Sequence, residues 1–228
     1  MTGPPSLEQQ AEEFGQEMAG LLSATLPGLP DPPVEILAHE TRTIIWPPDG
    51  KPLPLYVNGE PLASLKLSVA CQLDSTGRWL AVEESTFNLL AALDRTPVFR
   101  IHYVRDWALP TAHVHVHAHR GALSHLLSQA GQAHPHDMSS LHIPVGGSRF
   151  RPCLEDFIQF LISECHFDKL PGAQRQIEEG RERWRRRQCA VVARDAPEEA
   201  AAVLRRLGYT VTPPDPLPET AVKALRNW

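Results

Sequence analysis

The run His113-Val114-His115-Val116-His117-Ala118-His119 alternates imidazoles with small apolar residues. In an extended chain successive side chains point to opposite faces, so all four histidines share one face, with neighbours about 6.6 Å apart. Histidine titrates near neutral pH without help and is also a common metal ligand. The pattern therefore suits proton transfer or metal ligation.

The preceding segment has the same parity. Phe99, Ile101 and Tyr103 match the apolar side of the run, and Arg100 and His102 match the histidine side. A hairpin that pairs Arg105 near Ala112 sets His102 opposite His115 and Arg100 opposite His117, with cross-strand side chains about 5 Å apart. A second strand adds Glu83 and Ser85, and Lys66 and Ser68 extend the same open face. On such a face His115 and His117 act as general acid and base on a phosphodiester, Arg100 and His102 stabilise the phosphorane charge, and Glu83 orients an imidazole. The leading expectation is a metal-independent ribonuclease or related phosphodiester hydrolase, with RNA as substrate and no cofactor. In the metal-dependent alternative, His113, His115, His117 and His102 supply ligands to zinc or iron, because histidines at i and i+2 on a strand can share one ion. In the non-catalytic alternative, the face is a protein-binding adaptor surface.

These residues need a sheet to hold them. Leu65, Leu67, Val69, Cys71 and Leu73 alternate with Lys66, Ser68 and Gln72 and read as a half-buried strand. Further strands are expected near Trp79 to Phe87, Pro97 to Arg105 and Ala112 to Arg120, with a short helical link before the third and a short strand at Leu141 to Val145. The fold class is α+β: an antiparallel sheet of four or five strands with helices on one face and a helical C-terminal appendage. The covering helix begins at Pro152, where Leu154, Phe157, Ile158, Leu161, Ile162 and Cys165 form an apolar stripe and Glu155 and Asp156 occupy the first turn.

Three regions follow. Residues 1–62 hold an amphipathic helix, opened by the capping box Ser6-Leu7-Glu8-Gln9, and a proline-rich β segment with a strand at Glu35 to Trp46 and a turn at Asn58-Gly59. Residues 63–168 form the sheet and helix core, including a helix at Gly121 to Gln129 and a polar loop at Gln132 to Ser140. Residues 169–228 form the appendage: an arginine-rich helix through Trp184, then a second helix capped by Asp195 and ended by Gly208. Cys189 to Ala193 suits either helix or strand.

Composition narrows the partners. The net charge of -5 gives no global attraction to nucleic acid or an anionic membrane, so contact with RNA must be local. No apolar run approaches the ~20 residues that span a bilayer, and the N-terminus lacks the layout of a secretory signal, so a cytoplasmic protein is expected. Cys71, Cys153, Cys165 and Cys189 lie far apart without a CxxC and suggest no disulfide framework.

Two basic motifs stand outside the sheet. In His142-Ile143-Pro144-Val145-Gly146-Gly147-Ser148-Arg149-Phe150-Arg151, Gly146, Gly147, Arg149 and Arg151 form a candidate anion cradle, against a tight loop whose arginines pair with Glu155 or Asp156. Arg181, Arg183, Arg185, Arg186 and Arg187 surround Trp184 and suit phosphate contacts with base stacking, against a solvated face balanced by Glu178, Glu179 and Glu182.

The segments PVFRIHYVRD, AHVHVHAHRG, LHIPVGGSRFRPCLEDFIQFLI and GRERWRRRQ resemble a family of uncharacterised actinobacterial proteins, with similarity over most of the chain. That resemblance implies no activity. The order of an Arg100 and Tyr103 strand, a turn, a His-x-His strand and a closing helix is similar to TumE-like toxins of toxin and antitoxin modules. It implies action on RNA and an antitoxin protein partner, and covers about a third of the chain. The five residues His113 to His117 also resemble the motif of the histidine-triad nucleotide hydrolases. That family carries its motif near the chain's end, whereas a long helical tail follows it here.

Overall fold

The computed structural model describes residues 5–39, 41–91, 97–106, 110–117, 128, 133–137, 139, 143–145 and 147–226. Helix α1 (Leu7–Thr25) begins where the sequence places it: Ser6 accepts from the Gln9 backbone, and the Gln9 side chain accepts from the Ser6 N–H. Its apolar stripe buries Ala11, Met18, Leu21 and Leu22. The helix comes so close to the sheet at Gly15 that an added Cβ would lie 2.6 Å from Ile36 Cδ1.

Among the described residues, eight strands form one antiparallel sheet: β1 (Glu35–Ala38), β2 (Thr43–Trp46), β3 (Leu53–Val57), β4 (Glu60–Leu73), β5 (Leu80–Ala91), β6 (Pro97–Val104), β7 (Ala112–Val116) and β8 (Ile143–Pro144). Their order is β1-β2-β4-β5-β6-β7-β8, and β3 also pairs with β4. The architecture is α+β as expected, but the sheet is larger than four or five strands. The proline-rich segment contributes three strands. Glu35 to Trp46 is two of these, because His39 N–H donates to Arg42 C=O and turns the chain back. At Asn58-Gly59 both residues take positive φ, 53° and 81°, in the tight turn joining β3 to β4. The Asp168 carboxylate accepts from both turn N–H groups, at 2.9 and 2.7 Å.

Two expectations about the central strands need correction. Where a helical link was expected, Asn88 to Ala91 continue β5, and residues 92–96 lie outside the described residues. The β6–β7 register is shifted by two residues. Tyr103 pairs with Ala112, so His102 faces His113 and Arg100 faces His115. The ladder ends with Val104 N–H donating to Thr111 C=O. Pro110 has no N–H to carry it further, and Arg105 N–H is already spent on Glu83 C=O of β5.

The other helices are α2 (Gly147–Phe150), α3 (Leu154–Ser163), α4 (Ala173–Asp195), α5 (Pro197–Arg206) and α6 (Val222–Arg226). α3 starts after Cys153, whose N–H donates to Asp156 Oδ2, and buries Leu154, Phe157, Ile158, Leu161 and Ile162. Phe157 is fully buried against Phe87, Phe99 and Phe160. One core cluster joins α1, the inner face of the sheet, α3 and Ile177 of α4.

Cys189 to Ala193 continues α4. Asp195 does not cap the next helix: it is the last residue of α4 and its carboxylate pairs with Arg149 at 2.6 Å. Gly208, at φ 91°, follows α5, and neither α5 nor α6 buries a residue. All four cysteines are free, and among the described residues no helix is long and apolar enough to cross a membrane. Ser128 apart, the helix expected at Gly121 to Gln129 lies outside the described residues, as does His119.

Candidate metal centre

The site is built on two adjacent strands. β6 places His102 beside its partner His113 and diagonal to His115, and the three rings converge with centroids 5.0, 4.8 and 6.3 Å apart. One nitrogen from each ring can be chosen so that all three lie within 4.8 Å of one another. Zinc–nitrogen bonds of about 2.0–2.1 Å require ligand nitrogens roughly 3.4 Å apart. The rings need turn inward by only about an ångström to share an ion.

Each imidazole also has an oxygen acceptor. His113 Nδ1 is 2.7 Å from Pro110 C=O, His115 Nδ1 meets Ser139 C=O, and His102 Nε2 is 3.2 Å from Glu84 Oε1. A carboxylate or carbonyl can only accept, so each contact makes that nitrogen an N–H, and in the neutral ring the other nitrogen is the one that can ligate. Metal-ligating histidines are held in this way. The Ser139 carbonyl is positioned by a local turn, in which Ser139 N–H and Oγ–H donate to Asp137 Oδ1 at 2.8 and 2.5 Å. Those bonds hold the Asp137 carboxyl below its usual range.

The face is not the open one expected. His113 is fully buried, His115 is 8% exposed and His102 is part-buried. Among the described residues, the Pro110 and Ser139 carbonyls lie against the His113 and His115 rings. Burial lowers the His102 pKa, with Arg100 adding to the effect and Glu84 opposing it, so the ring is neutral at pH 7. A neutral ring is the form that binds metal.

No family model, curated protein or solved structure matches this chain. The site is therefore read from its own geometry.

The other expected residues lie as follows. Arg100 sits beside His115 and donates from Nε to Asn88 Oδ1 at 2.7 Å, and Asn88 in turn donates to Lys66 C=O. His117 lies just past β7, outside the cluster, with its pKa lowered by burial and by Arg100. Glu83 does not reach an imidazole; its carboxylate pairs with Arg42 at 3.0 Å. The carboxylate at the site is Glu84, which sequence reasoning missed. A β-bulge causes the exchange: Ala70 pairs with Glu84 and Cys71 with Val82, so Glu83 is the extra residue. Apolar parity runs through Leu80 and Val82, then slips to Phe87 and Leu89, and that slip across Glu83-Glu84 was the available signal. Ser85 lies on the inner face and is buried.

The glycine and arginine motif does not gather around the start of α3. Gly147 begins α2, Gly146 lies outside the described residues, and Arg149 pairs with Asp195 rather than with Glu155 or Asp156. Arg151 is buried between Tyr103 and Trp184. In the arginine-rich run, Arg181 pairs with Asp156, Arg186 with Glu182 and Arg187 with Glu17.

Proposed function

We propose that His102, His113 and His115 bind one divalent transition-metal ion, zinc foremost, and that the chain is a metal-dependent hydrolase. The observation that carries this reading is the convergence of three imidazoles from two adjacent strands, with one nitrogen of each within 4.8 Å of the others and an oxygen acceptor on one nitrogen of each ring. An all-imidazole set suits zinc, iron or copper better than magnesium or calcium, which take oxygen ligands. Three protein ligands leave a fourth position, the pattern of catalytic zinc sites, where the ion brings bound water to a pKa near 7. Glu84, part exposed at the edge of the cluster, holds His102 and offers a carboxylate for proton transfer.

The metal-independent phosphodiester reading loses support from burial. A proton-transfer pair must reach its substrate, and His113 and His115 are buried, while His117 is not one of the three clustered rings.

The test is metal stoichiometry after equilibration with zinc and gel filtration, together with the visible absorption of the cobalt-substituted chain. One equivalent per chain is expected, with a tetrahedral cobalt spectrum. The His102→Ala and His115→Ala variants should lose it, and His117→Ala should keep it. Failure of the wild type to retain metal, or equal loss in His117→Ala, would refute the site. RNA cleavage that survives chelation and disappears in a His115→Ala, His117→Ala double variant would restore the metal-independent reading.

A further inference from the structure

Helix α5 carries an apolar stripe that its own fold does not cover. Only its start is sheltered: Ala196 is buried and Pro197, Ala200 and Ala201 are half-buried, whereas residues 202–210 are all exposed. A helix standing in water has no use for amphipathic spacing, yet Ala200, Val203, Leu204 and Leu207 recur at i, i+3, i+4 and i+7. Val203, Leu204 and Leu207 are 44%, 40% and 69% exposed. The helix ending extends the stripe. Gly208 N–H donates to Arg205 C=O at 3.0 Å and Tyr209 N–H to Leu204 C=O at 3.1 Å, a paired ending that turns the chain back toward Leu204 and brings the exposed Tyr209 with it. An exposed apolar run of this kind marks an interaction surface.

The charges identify its occupant. At about 100° per residue, Glu199 and Arg206 fall on the same flank of the stripe, near its two ends. Among the described residues, neither makes a salt bridge or a side-chain hydrogen bond. An acid at a helix start and a base at its end suit the helix dipole wherever they sit around the axis. Sharing one flank is a separate property, because in a helix pair the flanks face each other and their charges fix the relative direction. Laid antiparallel on a second copy, α5 sets Glu199 of each chain toward Arg206 of the other; laid parallel, it sets like charges together. The surface is complementary to itself, as a two-fold interface must be.

We propose that α5 docks on α5 of a second copy of this chain, antiparallel about a dyad beside Val203 and Leu204. Ala200 of each copy then lies near Leu207 of the other, so a small side chain meets a large one. Helices of 10 residues bury less than the roughly 1,200 Å² of a stable complex, so the dimer is transient and salt weakens it. No histidine takes part, and the pairing needs no metal.

Sedimentation of the full chain at low salt, from about 10 µM to about 1 mM, tests it. The wild-type sedimentation coefficient should rise with concentration toward that of a dimer. Glu199→Arg and Arg206→Glu should each weaken association at least tenfold, because the dyad makes every substitution count twice. Mixed in equal amounts, those two variants should associate as the wild type does, since every facing pair is again opposite in charge. Leu207→Ser should also weaken association at least tenfold, with Tm unchanged because the side chain is exposed. A wild type that stays monomeric at about 1 mM leaves the stripe to some other partner and overturns the inference. So do charge variants that dimerise as the wild type does, or a mixture that associates no better than either variant alone.

Discussion

Replacing Glu84 by Gln keeps the shape of the side chain and removes its charge, so it asks whether the carboxylate tunes a metal ligand. Glu84 Oε1 lies 3.2 Å from His102 Nε2. Carboxylates and carbonyls that hold a ligating histidine typically contribute 10- to 100-fold in metal affinity, about 1.4–2.7 kcal/mol. Glu84 is 44% exposed, and water screens its charge, so the lower end applies: about tenfold weaker zinc at pH 7.5. The proton works in the opposite direction. Glu84 raises the His102 pKa, so the variant's ring is harder to protonate and competes less with metal in acid. At pH 7.5 both rings are neutral and the full loss shows; at pH 5.5 the gap should narrow. Competition against a chromophoric chelator gives Kd at both pH values, with Glu83→Gln as the control because Arg42 pairs with both glutamates and only Glu84 also meets His102. A Glu84→Gln affinity within twofold of wild type, or an equal loss in Glu83→Gln, would refute the positioning role.

Three further outcomes are expected. Phe157→Ala removes a fully buried ring packed against Phe87, Phe99 and Phe160 and should cost about 3–5 kcal/mol in denaturant unfolding; a loss under 1 kcal/mol would mean that the core does not centre on α3. In the metal-free chain, the lowered pKa values of His102 and His117 mean that the unfolded chain takes up protons first, so their stabilising contribution is full above about pH 6.5 and is lost as pH falls through the folded values; a Tm that stays flat or rises between pH 7.5 and 5 would contradict this. Native thiol titration should show one fast group, the exposed Cys189. Burial pushes Cys71 up to about 12, raises Cys153 further and raises Cys165, so these should react slowly until the chain unfolds.

What was legible in the sequence was whatever depends on neighbours a few positions away. The Ser6 cap, the α1 stripe, the Asn58-Gly59 turn, the alternation of β4 and the α3 stripe all appear where local spacing puts them. What was not legible depends on distant partners. The short strands β1 to β3 carry too few residues to show a period, and they become strands because β4 is long enough, at 14 residues, to pair with β2, β3 and β5 at once. Asp195 looks like a cap from its position before Ala196 and Pro197, yet Arg149, 46 residues earlier, claims its carboxylate.

The site divides along the same line. Strand parity survives any register shift of two residues, so alternation alone put Arg100 and His102 on the histidine face, and the structure agrees. Register is not legible from alternation; the observed ladder ends with Val104 N–H on Thr111 C=O, just short of Pro110, and Arg105 N–H bonds back to β5. That two-residue shift brings His102 opposite His113 instead of His115 and leaves His117 beyond the end of β7. Solvent access is a further step from sequence, because two of the groups against the rings are backbone carbonyls, of which the side chains carry no signal. The carbonyls of Pro110 and Ser139 change the chemistry more than the shift does. They accept from two imidazoles that are buried rather than exposed, so the same residues that read as an acid and base in one dimension read as a ligand set in three.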